Sequence, residues 1–235
     1  MLGIVGFVER REEEYLSAAE VEGLLVVRGA MAPPGRLGKH HWKRQIRRLE
    51  QAFSRYGVRR VWLPEGDAYP GLFSRWSRVD PMPLYRDLAD LLALALLEGR
   101  RIPPKQAVVT LAAPRVTRAV EGAAERLGPC VRGLALDVPG EGERFAGWLH
   151  REYGIAVYPP EQGDVTLDFG RGRGGGQGCI DLSREEGLCS SVRITARGLT
   201  LPDGDALPIL SLLWECGRVK RSQIRVNWVD TGISS

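Results

Sequence analysis

The stretch that decides the fold is residues 107–158, AVVTLAAPRVTRAVEGAAERLGPCVRGLALDVPGEGERFAGWLHREYGIAVY. Three apolar runs stand in it, 107–112 (AVVTLA), 131–138 (VRGLALDV) and 155–158 (IAVY), each of strand length. Two segments with helical periodicity separate them. In 115–127, Val116, Val120, Ala123 and Leu127 recur on one face and Gly128 follows; in 142–153, Phe145, Leu149 and Tyr153 do the same and Gly154 follows. Strands alternating with amphipathic helices predict βαβ crossovers and a parallel sheet. Runs apolar at nearly every position fit strands covered on both faces.

Outward from this centre the pattern loosens. Residues 84–97 predict one helix, apolar on most sides and ended by Gly99, of the kind buried between two layers. A soft domain boundary falls near Asp80, between a small N-terminal α/β domain (1–80) and a Rossmann-like domain with a β-rich extension (81–235). Within the first, residues 2–8 predict a strand, a short helix ends at about Glu22, and 24–27 predict a second strand. A helix follows over 41–56, with Trp42, Ile46, Leu49 and Phe53 on one face and Gly57 as its stop; residues 58–63 predict the next strand. After Pro160, the short strands 164–169, 179–182 and 191–196 have no helix between them and predict an antiparallel addition to the sheet edge, with the glycine tract 170–178 as a hairpin loop. A helix over 207–216, with Pro208 in its first turn, and a strand over 223–229 end the pattern. The fold class expected is therefore α/β: a Rossmann-like parallel sheet in the middle third, an N-terminal α/β portion and an antiparallel C-terminal extension.

Composition narrows the class further. Of 235 residues, 43% are hydrophobic and 26% charged, which argues against disorder over most of the length. The net charge is +4, yet only four of the 33 basic residues are lysine. Arginine, alanine, glycine and proline share G/C-rich codons, so the basic balance is weak evidence for a polyanionic partner. Four isolated cysteines without a C-x-x-C spacing predict neither a zinc knuckle nor a disulfide framework, and fit a reducing compartment. The apolar run at 2–8 has no basic region before it, and 84–97 carries Arg86, Asp87 and Asp90. Neither reads as a signal peptide or membrane span, so a cytoplasmic protein without a membrane partner is expected.

Two places bear on dinucleotide binding. The tract Gly170-Arg171-Gly172-Arg173-Gly174-Gly175 matches G-x-G-x-x-G, but a strand-like run follows it where the mechanism needs a helix N-terminus. The turn after 107–112 is better placed, since a dinucleotide fold puts its phosphate turn there, and Asp137 ends the next strand where a ribose-binding carboxylate belongs. In the order of its elements, the stretch from about 84 to 170 resembles the NAD(P)-binding half of two-domain dehydrogenases, with 84–97 as the connecting helix. That resemblance implies Asp137 as a cofactor-binding residue, and Arg115 and Thr117 stand where they can contact an anion at the helix N-terminus. The turn departs from the family pattern. It reads Ala112-Ala113-Pro114-Arg115-Val116-Thr117, without the three glycines, and Pro114 lacks an N–H.

The strongest surface signal is the helix 41–56. Between Arg36 and Arg60 there are nine basic residues and one acidic, Glu50, so this segment carries eight net positive charges and the remainder of the chain four net negative ones. Lys43, Arg44, Arg47, Arg48 and Arg55 fall in one arc opposite the apolar face, suited to nucleic-acid phosphates or an acidic protein patch. Charge runs are more often solvated faces, and no stacking motif accompanies this one. His40, His41 and His150 lack metal-ligand spacing, and no metal site is expected; Asp164, Asp168 and Asp181 flank the glycine tract as a weak cation signal. No nucleophile-elbow or metalloprotease motif occurs. The leading expectation is a cofactor-free Rossmann-like binding or structural module with no identifiable catalytic residues. The alternatives are an NAD(P)-type small-molecule enzyme with an atypical phosphate turn, and a nucleic-acid-binding protein that uses the basic helix.

Overall fold

The computed structural model describes residues 1–7, 16–33, 38–63, 72–173, 178–184, 192–201 and 206–229. The stretch 9–14, the turn 64–67, the end of the glycine tract at 174–177 and Cys189 lie outside the described residues. The chain forms two compact units, Met1–Asp80 with Thr200–Val219, and Pro81–Leu199 with Lys220–Ser235.

The first unit contains strands β1 (Leu2–Phe7), β2 (Leu16–Val21) and β3 (Leu24–Met31), helix α1 (Lys39–Arg55), and strands β4 (Arg60–Trp62) and β5 (Ser77–Arg78). Its sheet runs β2-β3-β1-β4-β5, parallel except that β2 pairs antiparallel with β3. The short helix expected to end near Glu22 is therefore replaced by a strand. Glu22 and Gly23 have φ of 48° and 71°, a two-residue turn with both centres left-handed, which twists a hairpin closed and denies a helix there. Helix α1 docks through its apolar face. Phe53 lies over Gly3 and Leu49 over Gly29, where a Cβ on either glycine would crowd the side chain above it. Val5, Val27, Met31, Val61 and Phe73 complete this core, and Phe73 meets Phe53 at 5.6 Å between ring centroids.

The second unit opens with α2 (Met82–Asp87) and α3 (Ala89–Gly99). These replace the single helix expected over 84–97. The break is at Leu88, with φ −92° and ψ 10°, whose N–H is shared between the carbonyls of Leu84 and Tyr85. Strand β6 (Val108–Ala112), helix α4 (Arg118–Leu127), strand β7 (Gly133–Asp137), helix α5 (Gly142–Tyr153) and strand β8 (Val157–Tyr158) follow in the alternation expected. Then come β9 (Val165–Asp168), β10 (Cys179–Asp181), β11 (Val192–Ala196) and β12 (Ile224–Trp228). The unit holds a five-stranded parallel sheet, β10-β9-β6-β7-β8, and an antiparallel β11–β12 pair.

Strands β9 and β10 correct the expected antiparallel addition, which is confined to β11–β12. Both extend the parallel sheet on the far side of β6, so the glycine tract between them is a return connection and no hairpin loop. Gly170, Gly172 and Gly178 have φ of 102°, 88° and 96°, conformations that side chains rarely adopt. Growth of the sheet thus reverses at β6, with β7 and β8 on one side and β9 and β10 on the other. In parallel sheets the crevice at the carboxyl ends of the strands flanking such a reversal is where ligands bind.

The last helix, α6 (Ala206–Glu215), belongs to the first unit. Glu215 pairs with Arg60 of β4, and Arg218, just beyond the helix, donates to the Glu22 carbonyl at 2.6 Å. In the second unit, Asp90 is a buried carboxylate on a mostly apolar helix. Arg126 donates to it at 3.0 Å, and Arg221 at 2.5 and 2.6 Å. Both guanidiniums also donate to the Asp87 carbonyl, which ties α3, α4 and the approach to β12 together. Among the described residues, no helix is long and apolar enough to cross a membrane.

Candidate functional site

Strand register assembles the candidate site. Ala112 stands opposite Asp137 on one side and Asp168 on the other, and Asp181 stands opposite Asp168. The carboxyl ends of β6, β7, β9 and β10 therefore share one edge and bring three carboxylates to it. Each is already engaged. The Asp168 side chain, only 1% exposed as a residue, accepts from the N–H groups of Gly170 (2.8 Å) and Arg171 (2.6 Å), which fixes the start of the glycine tract. Asp181 accepts from the N–H (2.8 Å) and hydroxyl (2.5 Å) of Ser183. Asp164, at the opposite edge, accepts from the Val108 N–H at 2.8 Å. The three aspartates around the glycine tract thus satisfy local backbone and form no cation cage; among the described residues no group of three or more His, Cys, Asp or Glu can hold a metal.

Asp137 is held by the tract itself. Arg171 Nε lies 3.7 Å from its Oδ1, and Arg173 Nε lies against its Oδ2 as an ion pair not aligned as a hydrogen bond. The carboxylate is 13% exposed, whereas the arginines are 41% and 48% exposed. The two dinucleotide signals of the sequence, the glycine tract and the β6–α4 turn with Asp137, thus converge on one edge. The pairing of Arg171 and Arg173 with Asp137 is not among the expectations from the sequence. Its signal was present in two arginines within a glycine tract, but only the parallel placement of β9 brings them to β7.

The β6–α4 turn is closed in a similar way. Ala112 and Ala113 are buried, and Ala113 N–H donates to the Asp137 carbonyl at 3.1 Å. Val116 N–H donates to the Glu141 carboxylate at 2.6 Å, and the Thr117 hydroxyl caps α4 by accepting from Val120 N–H at 3.4 Å. Helix α4 begins at Arg118, three residues later than the sequence pattern suggests, because Thr117 serves as its cap. Arg115 is exposed on the turn. Of the three residues implied for a cofactor, Asp137 and Thr117 are committed to protein partners. A pyrophosphate needs free N–H groups at this turn and a ribose needs a free carboxylate on β7.

The cationic face lies on the first unit. Lys43, Arg44, Arg47, Arg48 and Arg55 are all exposed on α1, while Leu49 and Phe53 are buried and Trp42 and Ile46 half-buried beneath them. Among the described residues, Cys130 and Cys216 are free thiols. The Tyr153 phenol, at the end of α5, has its pKa raised above the ordinary value, first by its 2.9 Å hydrogen bond to Glu125 and then by burial and the charges of Glu125 and Glu152. Compared with protein-family models and with curated proteins, the chain finds no match.

Proposed function

We propose that this protein is a Rossmann-like binding module that works without a dinucleotide cofactor. The observation that carries the reading is internal occupancy. Arg171 and Arg173 neutralise Asp137 at the ribose position, and Glu141 takes the Val116 N–H at the phosphate position. A dinucleotide would have to displace two ion pairs and a 2.6 Å charged hydrogen bond, and would enter a turn without the glycines that allow backbone contact. The NAD(P)-type enzyme reading requires those groups free. A thermal melt tests the proposal, because a ligand present at about 100 times its dissociation constant stabilises by about 2.7 kcal/mol and raises Tm by several degrees. With NAD or NADP at millimolar concentration no rise is expected; a rise of several degrees would restore the cofactor-dependent reading.

A second reading is supported by the α1 face, where five cations stand exposed on one helix side. Such a face suits nucleic-acid phosphates, whose binding falls steeply with salt as counterions are released. A gel-shift series from about 50 to 200 mM salt separates the readings. The module reading expects feeble association erased by salt. Tight binding at the upper salt, lost when Lys43, Arg44, Arg47, Arg48 and Arg55 are replaced by Gln, would make nucleic acid the partner.

A further inference from the structure

Helices α4 and α5 leave between them a cavity of about 390 Å³, with Val116 and Glu121 on the α4 side and Arg144, Phe145, Trp148 and Arg151 on α5. Its lining includes Glu141 and Val116, which meet at the β6–α4 turn, but not Asp137, Arg171 or Arg173, so it adjoins the occupied crevice without containing its ion pairs. The volume lies at the lower end of small-molecule pockets, the size for one or two fused rings. Arg144, Trp148 and Arg151 follow i, i+4, i+7 spacing, so one face of α5 presents a cation, an indole and a second cation in a row.

The aromatic wall is held in place by its neighbours. Trp148 stacks on Phe145 with centroids 5.7 Å apart and planes 15° apart, and meets the Tyr153 ring edge-on at 5.2 Å. Tyr153 is in turn anchored to Glu125. The two cations are not used by the fold. Arg126, Arg171, Arg173 and Arg221 are all spent on carboxylates, but among the described residues neither Arg144 nor Arg151 has an ion-pair partner. Of the two carboxylates that line the cavity, Glu141 already accepts the Val116 N–H, and Glu121 is the other.

We propose that this cavity binds a small planar aromatic anion. The ring lies against the Trp148–Phe145 wall, the anionic group is taken by Arg144 and Arg151, and Glu121 accepts from a ring N–H or O–H where the ligand has one. Aromatic packing supplies non-directional affinity and the charge-assisted hydrogen bonds select the anion. The site does not rest on the dinucleotide reading, since none of the groups that fill that crevice except Glu141 reaches it.

The test uses the full chain and 1-naphthoate as probe, with 1-naphthalenemethanol as the neutral analogue and cyclohexanecarboxylate as the non-aromatic anion, followed by calorimetry and by the indole N–H resonances. Saturable 1-naphthoate binding with a dissociation constant below about 1 mM, equivalent to about −4.1 kcal/mol, is expected, with both analogues at least about tenfold weaker. Titration should shift the Trp148 indole N–H. The R144Q/R151Q variant and Trp148→Ala should each weaken binding at least about tenfold. Arg132→Gln, which removes the cation over the Tyr158 ring outside the cavity, should leave it unchanged. Both cavity arginines are exposed, so the double variant should keep the wild-type melt, and that melt is measured alongside. No saturation at several times the expected constant, equal binding of the neutral alcohol, or undiminished binding to the folded R144Q/R151Q variant would overturn the proposal. NAD is included as a competitor: failure to displace 1-naphthoate is expected, and its independent binding would refute the cofactor-free reading while leaving this one standing.

Discussion

Arginine is put to different use at different places in the chain. In the second unit Arg126 and Arg221 converge on the buried Asp90, and Arg171 and Arg173 converge on Asp137. On α1 of the first unit the cations Lys43, Arg44, Arg47, Arg48 and Arg55 face solvent, on the side opposite Leu49 and Phe53. A composition that supplies 29 arginines therefore says little about function by itself. What distinguishes the groups is whether a carboxylate meets them. The paired ones join elements far apart in sequence; among the described residues, the cations on the α1 face and Arg144 and Arg151 on α5 meet no carboxylate.

The contrast can be broken most directly at Asp90. Asp90→Ala removes the acceptor of two arginines and should lower the unfolding free energy by about 3 kcal/mol, read from urea denaturation at unchanged m-value. The arginines are about one-third exposed, and water takes up part of the loss. A loss under about 0.5 kcal/mol, the ordinary surface value, would show that the cluster does not tie the unit together.

At the occupied crevice the effect should be smaller. Asp137→Asn keeps the shape but removes the charge that Arg171 and Arg173 neutralise, and a loss of about 1 kcal/mol is expected because both arginines are largely exposed. On α1, replacement of the five cations by Gln should change stability by less than about 0.5 kcal/mol per site, since these side chains lie on the solvent face. If the α1 variant lost as much as Asp90→Ala, the cations of that helix would be structural and the distinction between carboxylate-paired and solvent-facing cations would fail.

The smallest effect concerns pH. Tyr153 keeps its proton more tightly in the folded chain than when unfolded, because its hydroxyl donates to Glu125. Its contribution is therefore complete below the ordinary tyrosine range and is lost as pH rises through the raised folded value. Stability measured across the alkaline limb should fall slightly less steeply in Tyr153→Phe than in the wild type. Identical alkaline limbs would show that the Tyr153–Glu125 bond does not persist in solution.

Legibility in the sequence follows the range of the interactions involved. The β6-α4-β7-α5-β8 core was readable because its strands are apolar along their length and its helices carry one apolar face, both local properties. Strand β2 was not, since LSAAEV is exposed at almost every position and has no alternation; the Glu22-Gly23 turn was the better guide. Strands β9 and β10 were found but paired wrongly. A short connection without a helix suggests a hairpin, whereas the structure pairs the two strands in parallel, with Gly170, Gly172 and Gly178 at positive φ between them. The site was half legible. Asp137 and the β6–α4 turn were found from element order, and the glycine tract from its motif. That Arg171 and Arg173 reach Asp137 depends on which side of β6 the later strands take, which no local pattern encodes. Glu141 and the Arg144-Trp148-Arg151 row were not singled out, although their spacing on α5 was available.

The central claim is that the dinucleotide position is filled by the protein's own side chains. Calorimetric titration of NAD and NADP into the wild-type chain and into Asp137→Asn tests it most directly. Neither nucleotide should give saturable heat with either protein at millimolar concentration. A micromolar dissociation constant for the wild type that disappears in Asp137→Asn would show that Asp137 is available to a ribose and that the pairing with Arg171 and Arg173 yields to ligand, contradicting the account.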